Sequence, residues 1–179
     1  MTQPAITVLS LPPTPDELRD LAALHVDAVH AGAAVSFVLP FTQQQATQWW
    51  QQTLERSRPT VLVARDGAQS GAGHGARIVG TVQLQRAWAP NQPHRAEVGK
   101  LLVHRDHQRH GLGAALMHAV EAEAKRLGLR LLVLDAKGGG AAERLYLRLG
   151  WQRVGVIPRF AYDPDGVTLH DTVVFYKEL

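Results

Sequence analysis

One short stretch, Gln108-Arg109-His110-Gly111-Leu112-Gly113-Ala114, constrains this chain more than any other. An apolar, strand-like run from Val98 to Val103 precedes it, and an amphipathic helix extending to about Gly128 follows it. A chain that leaves a strand, turns through glycines and enters a helix aims several unpaired backbone N–H groups at one point. The helix dipole adds partial positive charge there, so the junction is an anion site whose usual occupant is phosphate. Gly111 and Gly113 let backbone approach the anion with no Cβ in the way, and Arg109 and His110 add side-chain cations.

Two familiar glycine loops are excluded by position. No Gly-Lys pair followed by Ser or Thr occurs, so the P-loop pattern is absent. The dinucleotide fingerprint G-x-G-x-x-G, started at Gly111, needs a small residue where Leu116 stands; started at Gly138, it meets Glu143. The pattern that fits is Q/R-x-x-G-x-G/A.

The element order reads β-α-α-β-β-β-α-β-α-β-β, which predicts a mixed α/β sheet with helices on both faces. Ile6 to Leu9 is a short strand. Thr14-Pro15-Asp16-Glu17 supplies a capping box with proline at the first helical position, and Leu18, Leu21, His25, Ala28 and Val29 form the buried stripe that follows. Thr42 and Gln45 open a second helix, with Ala46, Trp49, Trp50, Thr53 and Leu54 on one face. The tryptophan pair reads as core packing, with a place in a cleft wall as the alternative, and His25 as a structural residue.

Thr60 to Ala64 and Ile78 to Trp88 are strands, joined by a glycine-rich connector from Asp66 to Ala76. Beyond the glycine loop, Leu112, Leu116, Ala119, Val120 and Leu127 make the buried stripe of the long helix, with Glu121–Lys125 as an ion pair on its exposed side. Leu131 to Leu134 is a buried strand, Ala141 to Leu149 a short helix closed by Gly150, and Trp151 to Ile157 and Thr172 to Tyr176 the final strands.

Composition removes several function classes. The chain contains no cysteine, so disulfides, thiolate metal sites and a cysteine nucleophile drop out. His104, His107 and His110 are spaced by three on a strand-to-loop segment with no helix to align them, which argues against metal. The net charge of +3 comes from scattered basic residues, whereas a nucleic-acid face gathers them. No signal-peptide pattern opens the chain and no stretch approaches the ~20 apolar residues of a membrane span, so a cytoplasmic location is expected. The 179 residues suit one domain, 1–179.

From Ala96 onward the chain resembles the GNAT superfamily of acyl-CoA N-acetyltransferases. Leu101-Leu102-Val103 leads into Gln108-x-x-Gly111-x-Gly113, and Ala142-x-x-Leu145-Tyr146-x-x-x-Gly150-Trp151 matches the family's A-x-x-L-Y-x-x-x-G-F. His30 to Phe37, Arg95-Ala96-Glu97-Val98, Leu134-Asp135, Arg153-Val154-Gly155 and Pro164-Asp165-Gly166 extend the likeness to the tabtoxin-resistance type. Arg105 stands where that family often has proline, Arg109 where it often has glycine, and Gly99 and Lys137-Gly138 are departures near the cleft.

The resemblance implies a mixed, mostly antiparallel seven-stranded sheet with helices on both faces, and acetyl-CoA as co-substrate with no metal. It implies that backbone groups of Leu101, Leu102 and Val103 meet the pantetheine arm and the thioester, as a peptide joins a sheet edge. Gln108, Arg109, His110, Gly111, Leu112, Gly113 and Ala114 would hold the pyrophosphate. Glu97 and Asp135 match family positions for taking the acceptor's proton, and Tyr146 the position of the phenol that protonates the thiolate. A backbone N–H near Leu101 or Leu102 would stabilise the oxyanion.

The implied acceptor is a small-molecule amine, an amino-acid-like toxin or antibiotic among the candidates. A homodimer is compatible with it, and neither nucleic acid nor membrane is an expected partner. Two other readings stay open. One is acetylation of a protein N-terminus or lysine, which needs an open groove; the other is a non-catalytic acyl-CoA-binding module.

Overall fold

In the computed structural model, which describes residues 4–67 and 76–179, the elements follow the expected order. They are β1 (Ala5–Val8), α1 (Pro15–His30), α2 (Gln43–Arg56), β2 (Thr60–Asp66), β3 (Arg77–Arg86), β4 (Arg95–Val103), α3 (Leu112–Arg126), β5 (Leu131–Lys137), α4 (Ala141–Arg148), β6 (Gln152–Tyr162) and β7 (Leu169–Glu178). A single 3₁₀ turn, Arg105–His107, separates β4 from α3. The seven described strands form one sheet in the order β1-β2-β3-β4-β5-β7-β6. Every neighbouring pair is antiparallel except β4 and β5. Residues 68–75 of the glycine-rich connector lie outside the described residues.

Several strands outrun the lengths their apolar patterns suggest. β5 continues past Leu134 to Lys137 because β7 pairs with it along its whole length, so Asp135 lies within the strand and not at its end. β6 and β7 extend each other in the same way, as a hairpin enclosing the Pro164-Asp165-Gly166 turn.

Both anticipated capping boxes form. The Thr14 N–H donates to Glu17 Oε2 at 2.8 Å and the Thr14 hydroxyl oxygen accepts from the Glu17 N–H at 3.2 Å, with Thr42 and Gln45 repeating the arrangement at α2. The alternation of β2 then splits the interior into two cores. Val61 and Val63 pack towards α1 and α2 with Leu21 and Trp50, while Leu62 and Ala64 pack towards α3 with Leu116 and Met117. The two helix pairs thus cover opposite faces of the sheet.

His25 of α1 is fully buried among the rings of Phe37, Phe41, Trp49 and Trp50, at centroid distances of 4.7 to 6.2 Å. Its ring nitrogens make no well-formed hydrogen bond among the described residues. Burial pushes its pKa down to about 4, the Lys100 charge pushes the same way, and the Val35 backbone offsets only part. The folded protein therefore resists a proton that the unfolded chain accepts near the ordinary value of about 6.5. The resulting stability is full above that value and is lost as pH falls towards 4, by roughly 3 kcal/mol. Urea unfolding of wild type and His25→Leu at pH 7 and pH 4.5 checks this: the wild type should lose more stability than the variant. Parallel losses would show that His25 accepts its proton without unfolding.

The expected Glu121–Lys125 pair is not what forms. Glu121 is buried against β7 and the segment after α4, where Oε1 accepts from the Trp151 indole N–H at 2.9 Å and Oε2 from Lys177 Nζ at 2.8 Å. Trp151 stands where the resembled family carries phenylalanine, and an indole N–H brought into an interior needs an acceptor. Glu121 supplies it, and Lys177 balances the charge.

Candidate active site

The parallel pairing of β4 with β5 covers Arg95↔Leu131, Ala96↔Leu132 and Glu97↔Val133, and stops there. β4 nevertheless runs on to Val103 and β5 to Lys137, so the two strands part and open a cleft through the sheet. On the β4 side the ladder with β3 turns some backbone groups into that opening. The His104 N–H donates to the Val79 carbonyl at 2.9 Å, and Val103 is opposite Gly80. By the alternation of an antiparallel ladder, the N–H and C=O of Val103 then point away from β3, while those of Leu102 point towards it.

A bulge in β4 decides which side chains face this cleft. Thr81 pairs with Leu102 and Gln83 with Gly99, so a three-residue step on β4 opposes a two-residue step on β3. Lys100 sits in the bulge with φ +49, a left-handed conformation that side-chain-bearing residues rarely adopt. Before the bulge, Ala96 and Val98 belong to the α3 core, leaving Glu97 and Gly99 on the α1–α2 face. After it, Leu101 and Val103 pack on the α3 core and Leu102 on the α1–α2 core. The extra residue therefore places Lys100 on the same face as Glu97.

Three charged side chains meet on that face. Glu97 and Asp135 are both exposed to the opening, and they share the face because Glu97 pairs with Val133, two residues before Asp135. Thr172 Oγ1 lies 3.1 Å from Asp135 Oδ2 and from the Ala136 carbonyl. The Lys100 ammonium lies 5.3 Å above the Trp49 ring and 3.5 Å from Ser36 Oγ, and makes no ion pair among the described residues. Burial pulls its pKa below the ordinary lysine value, opposed by the charges of Asp135 and Glu97.

Tyr146 approaches from the other face of the sheet. It lies on α4, buried beside Trp151 and Phe175 at ring distances of 6.0 and 5.8 Å. Its hydroxyl makes no hydrogen bond to any described residue. Burial pushes its pKa up to about 12 and the Asp135 charge adds to the effect, so the phenol keeps its proton at neutral pH.

The glycine loop closes the β4 end of the site. Gly111 precedes α3 at φ +82 with no side-chain cap, which leaves the first amides of the helix free for a ligand. Arg109 also has positive φ, +63, which accounts for the glycine that the resembled family prefers there. Gln108 turns its side chain inward: Nε2 donates to the Val103 carbonyl at 3.0 Å, leaving the Val103 N–H as that residue's group on the open side.

Arg105 Nε donates to Asp27 Oδ1 at 2.6 Å, tying the turn to α1. His104 and His107 lie near Asp106 and Asp66, each at 3.5 Å, and no group of three or more possible metal ligands gathers among the described residues.

The sequence does not fix the place of two cleft residues. Lys100 is hidden by the bulge, since period-two counting from Glu97 assigns it to the opposite face. Trp49 is half-buried under Lys100 as part of the cleft wall, whereas its neighbour Trp50 is core.

A sheet that splits beside a helix N-terminus, with carboxylates on one face of the gap and a phenol on the other, is the arrangement that the resemblance to acetyl-CoA-using acyltransferases implies. Residues 26–151 match the acetyltransferase (GNAT) family, and the chain belongs to it. The L-methionine sulfoximine/L-methionine sulfone acetyltransferase of Pseudomonas aeruginosa is 28% identical over 145 residues, covering 80% of this chain and 79% of that protein. An N-acetyltransferase from the hisH-hisA intergenic region of Azospirillum brasilense is 32% identical over 124 residues, 68% of each chain.

Among solved structures, an N-acetyltransferase from Staphylococcus aureus Mu50 superposes with a TM-score of 0.77 at 18% identity, over 99% of both chains. A Salmonella typhimurium protein solved with its cofactor acetyl-CoA does so with a TM-score of 0.72 at 20% identity, over 98% of this chain and 94% of that one. These structures share the fold, and membership of the family makes the protein an acetyl-CoA-dependent acetyltransferase. No described helix is long and apolar enough to cross a membrane.

Proposed function

We propose that the protein acetylates the amine of a small molecule by direct attack of that amine on the acetyl-CoA thioester. One observation carries this reading: the β4–β5 opening has Glu97 and Asp135 on one face and the Tyr146 phenol on the other. An amine docking on the α1–α2 face is drawn by the two carboxylates, and one of them takes its proton directly or through a water. The free amine then forms the new C–N bond at the thioester carbonyl. The oxyanion lies against the backbone N–H of Leu101, in preference to Leu102, whose backbone groups are turned towards β3. As the C–S bond breaks, Tyr146 gives its proton to the sulfur; the second amine proton leaves the nitrogen as the amide forms and passes to solvent, from which the phenol is reprotonated.

The amides from Gln108 to Ala114 take the pyrophosphate, and the Val103 N–H takes part of the pantetheine arm. A small acceptor is favoured over a protein chain because the α1–α2 segment roofs the site. The Leu39 N–H donates to the Pro164 carbonyl at 2.7 Å, joining that segment to the β6–β7 hairpin across the cleft. The methionine sulfoximine activity of the Pseudomonas relative agrees with this class of acceptor.

The test is thiol release from acetyl-CoA with amino acids, aminoglycosides and peptides as acceptors. Small amines should release coenzyme A and appear as N-acetyl products, and Glu97→Gln combined with Asp135→Asn should lower turnover by about 100-fold or more. Acetylation of peptides alone, or undiminished turnover in the double variant, would overturn the assignment.

A further inference from the structure

Lys100 is the least economical choice for its position on conformational grounds. A bulge residue with φ +49 is the natural place for glycine, and a lysine there holds a strained backbone. Its side chain is not used to neutralise the carboxylates beside it, since no described carboxylate comes within ion-pair distance of the ammonium. Instead it is held half-buried, over the face of Trp49 and at the edge of hydrogen-bonding distance from Ser36 Oγ, with donor capacity to spare. Ser36 itself has positive φ, +76, in the α1–α2 segment that roofs the cleft. An aromatic face holds an ammonium in place without taking up its hydrogen-bonding protons.

The unneutralised charge beside Lys100 is negative, since Lys137, two residues beyond Asp135 on β5, is taken up by Asp163 at 2.6 Å. Glu97 and Asp135 attract an acceptor's ammonium, and by the same field they repel an acceptor's carboxylate. A zwitterionic acceptor binds there only if a cation sits on the same face to receive its other end. The bulge puts one there.

We infer that Lys100 is a specificity-determining residue that binds the carboxylate of the acceptor, and that the acceptor is an α-amino acid held between this ammonium and the Glu97–Asp135 pair. This rests on the proposed amine acetylation and names its substrate class. The Lys100 ammonium donates to the substrate carboxylate, orienting the α-amine towards the gap between β4 and β5. The Trp49 ring and Ser36 hold the lysine where the carboxylate arrives.

The test compares L-methionine sulfone and the twenty standard L-amino acids with the primary carboxamide of each, in wild type, Lys100→Met and Lys100→Arg. For the best acceptor, wild type should prefer the acid over its amide by about 30-fold in kcat/KM, the scale of one charge-assisted hydrogen bond. In Lys100→Met that ratio should fall to within about threefold of one, with the change carried by the KM of the acid, and Lys100→Arg should restore most of it.

Equal use of acids and amides by wild type overturns the inference. So does a loss in Lys100→Met that lowers kcat for both alike and moves the pH–rate profile, because the lysine would then be setting the ionisation of Glu97 and Asp135. Transfer to amines without preference for acids defeats this inference alone. Transfer to none of the acceptors, with acetyl-CoA still bound, defeats the amine-acetylation reading as well.

Discussion

Tyr146→Phe should lower kcat for acetyl transfer by two to three orders of magnitude while leaving the Kd for acetyl-CoA within about twofold of wild type. The change removes one oxygen from a ring whose packing against Trp151 and Phe175 is otherwise kept. Folding and cofactor binding should therefore survive it. What is lost is the proton for the departing thiolate.

The environment of the phenol suits that task. Burial and the neighbouring Asp135 push its pKa up to about 12, so it stays protonated through the range in which amines become nucleophilic. A phenol with a lowered pKa would give an alkaline loss of activity near pH 9; this one should give none until well above it. Single-turnover transfer and calorimetric titration with acetyl-CoA, run side by side on both proteins, check the prediction. Turnover within threefold of wild type would remove Tyr146 from the chemistry and leave it a core aromatic.

How much of this site could be read from the sequence depends on whether the deciding interaction is local. The caps at Thr14 and Thr42 and the helix entry at Gly111 are set by residues within a few positions of one another, and each forms where the spacing puts it. Glu97 and Asp135 come together because two strands of known direction pair in register, which the family likeness implies.

Lys100 could not be placed in this way. One inserted residue reverses the parity of everything after it, and nothing in Glu97-Val98-Gly99-Lys100-Leu101 announces the insertion. Trp49 and Trp50 share a helix face in outline, yet adjacent helical positions differ by about 100° in direction, enough to send one to the core and the other to the cleft. Glu121 was hidden by distance along the chain. A glutamate four residues before a lysine on a helix reads as a solvated pair, and its actual partners, Trp151 and Lys177, lie 30 and 56 residues away.

That network carries the largest stability prediction. Glu121→Ala should destabilise the protein by about 3 kcal/mol, because it leaves one buried and one half-buried donor behind. The Trp151 indole N–H loses its acceptor, and Lys177 keeps only the Leu149 carbonyl, at 2.8 Å. For a chain of this length the shift corresponds to a fall in Tm of roughly 6–12 °C. The origin is tested by Glu121→Leu combined with Lys177→Met, which removes the stranded charge and fills part of the space; it should recover more than half of the loss.

The effect should also reach the chemistry. Trp151 packs beside Tyr146, so loosening the indole lets the phenol wander, and the Glu121→Ala enzyme should lose turnover at temperatures where it is still folded. A loss of less than 1 kcal/mol would mean that water replaces the glutamate at little cost. The Glu121–Trp151–Lys177 network would then be a consequence of having tryptophan at this position, and not one of the supports that hold Tyr146 against the cleft.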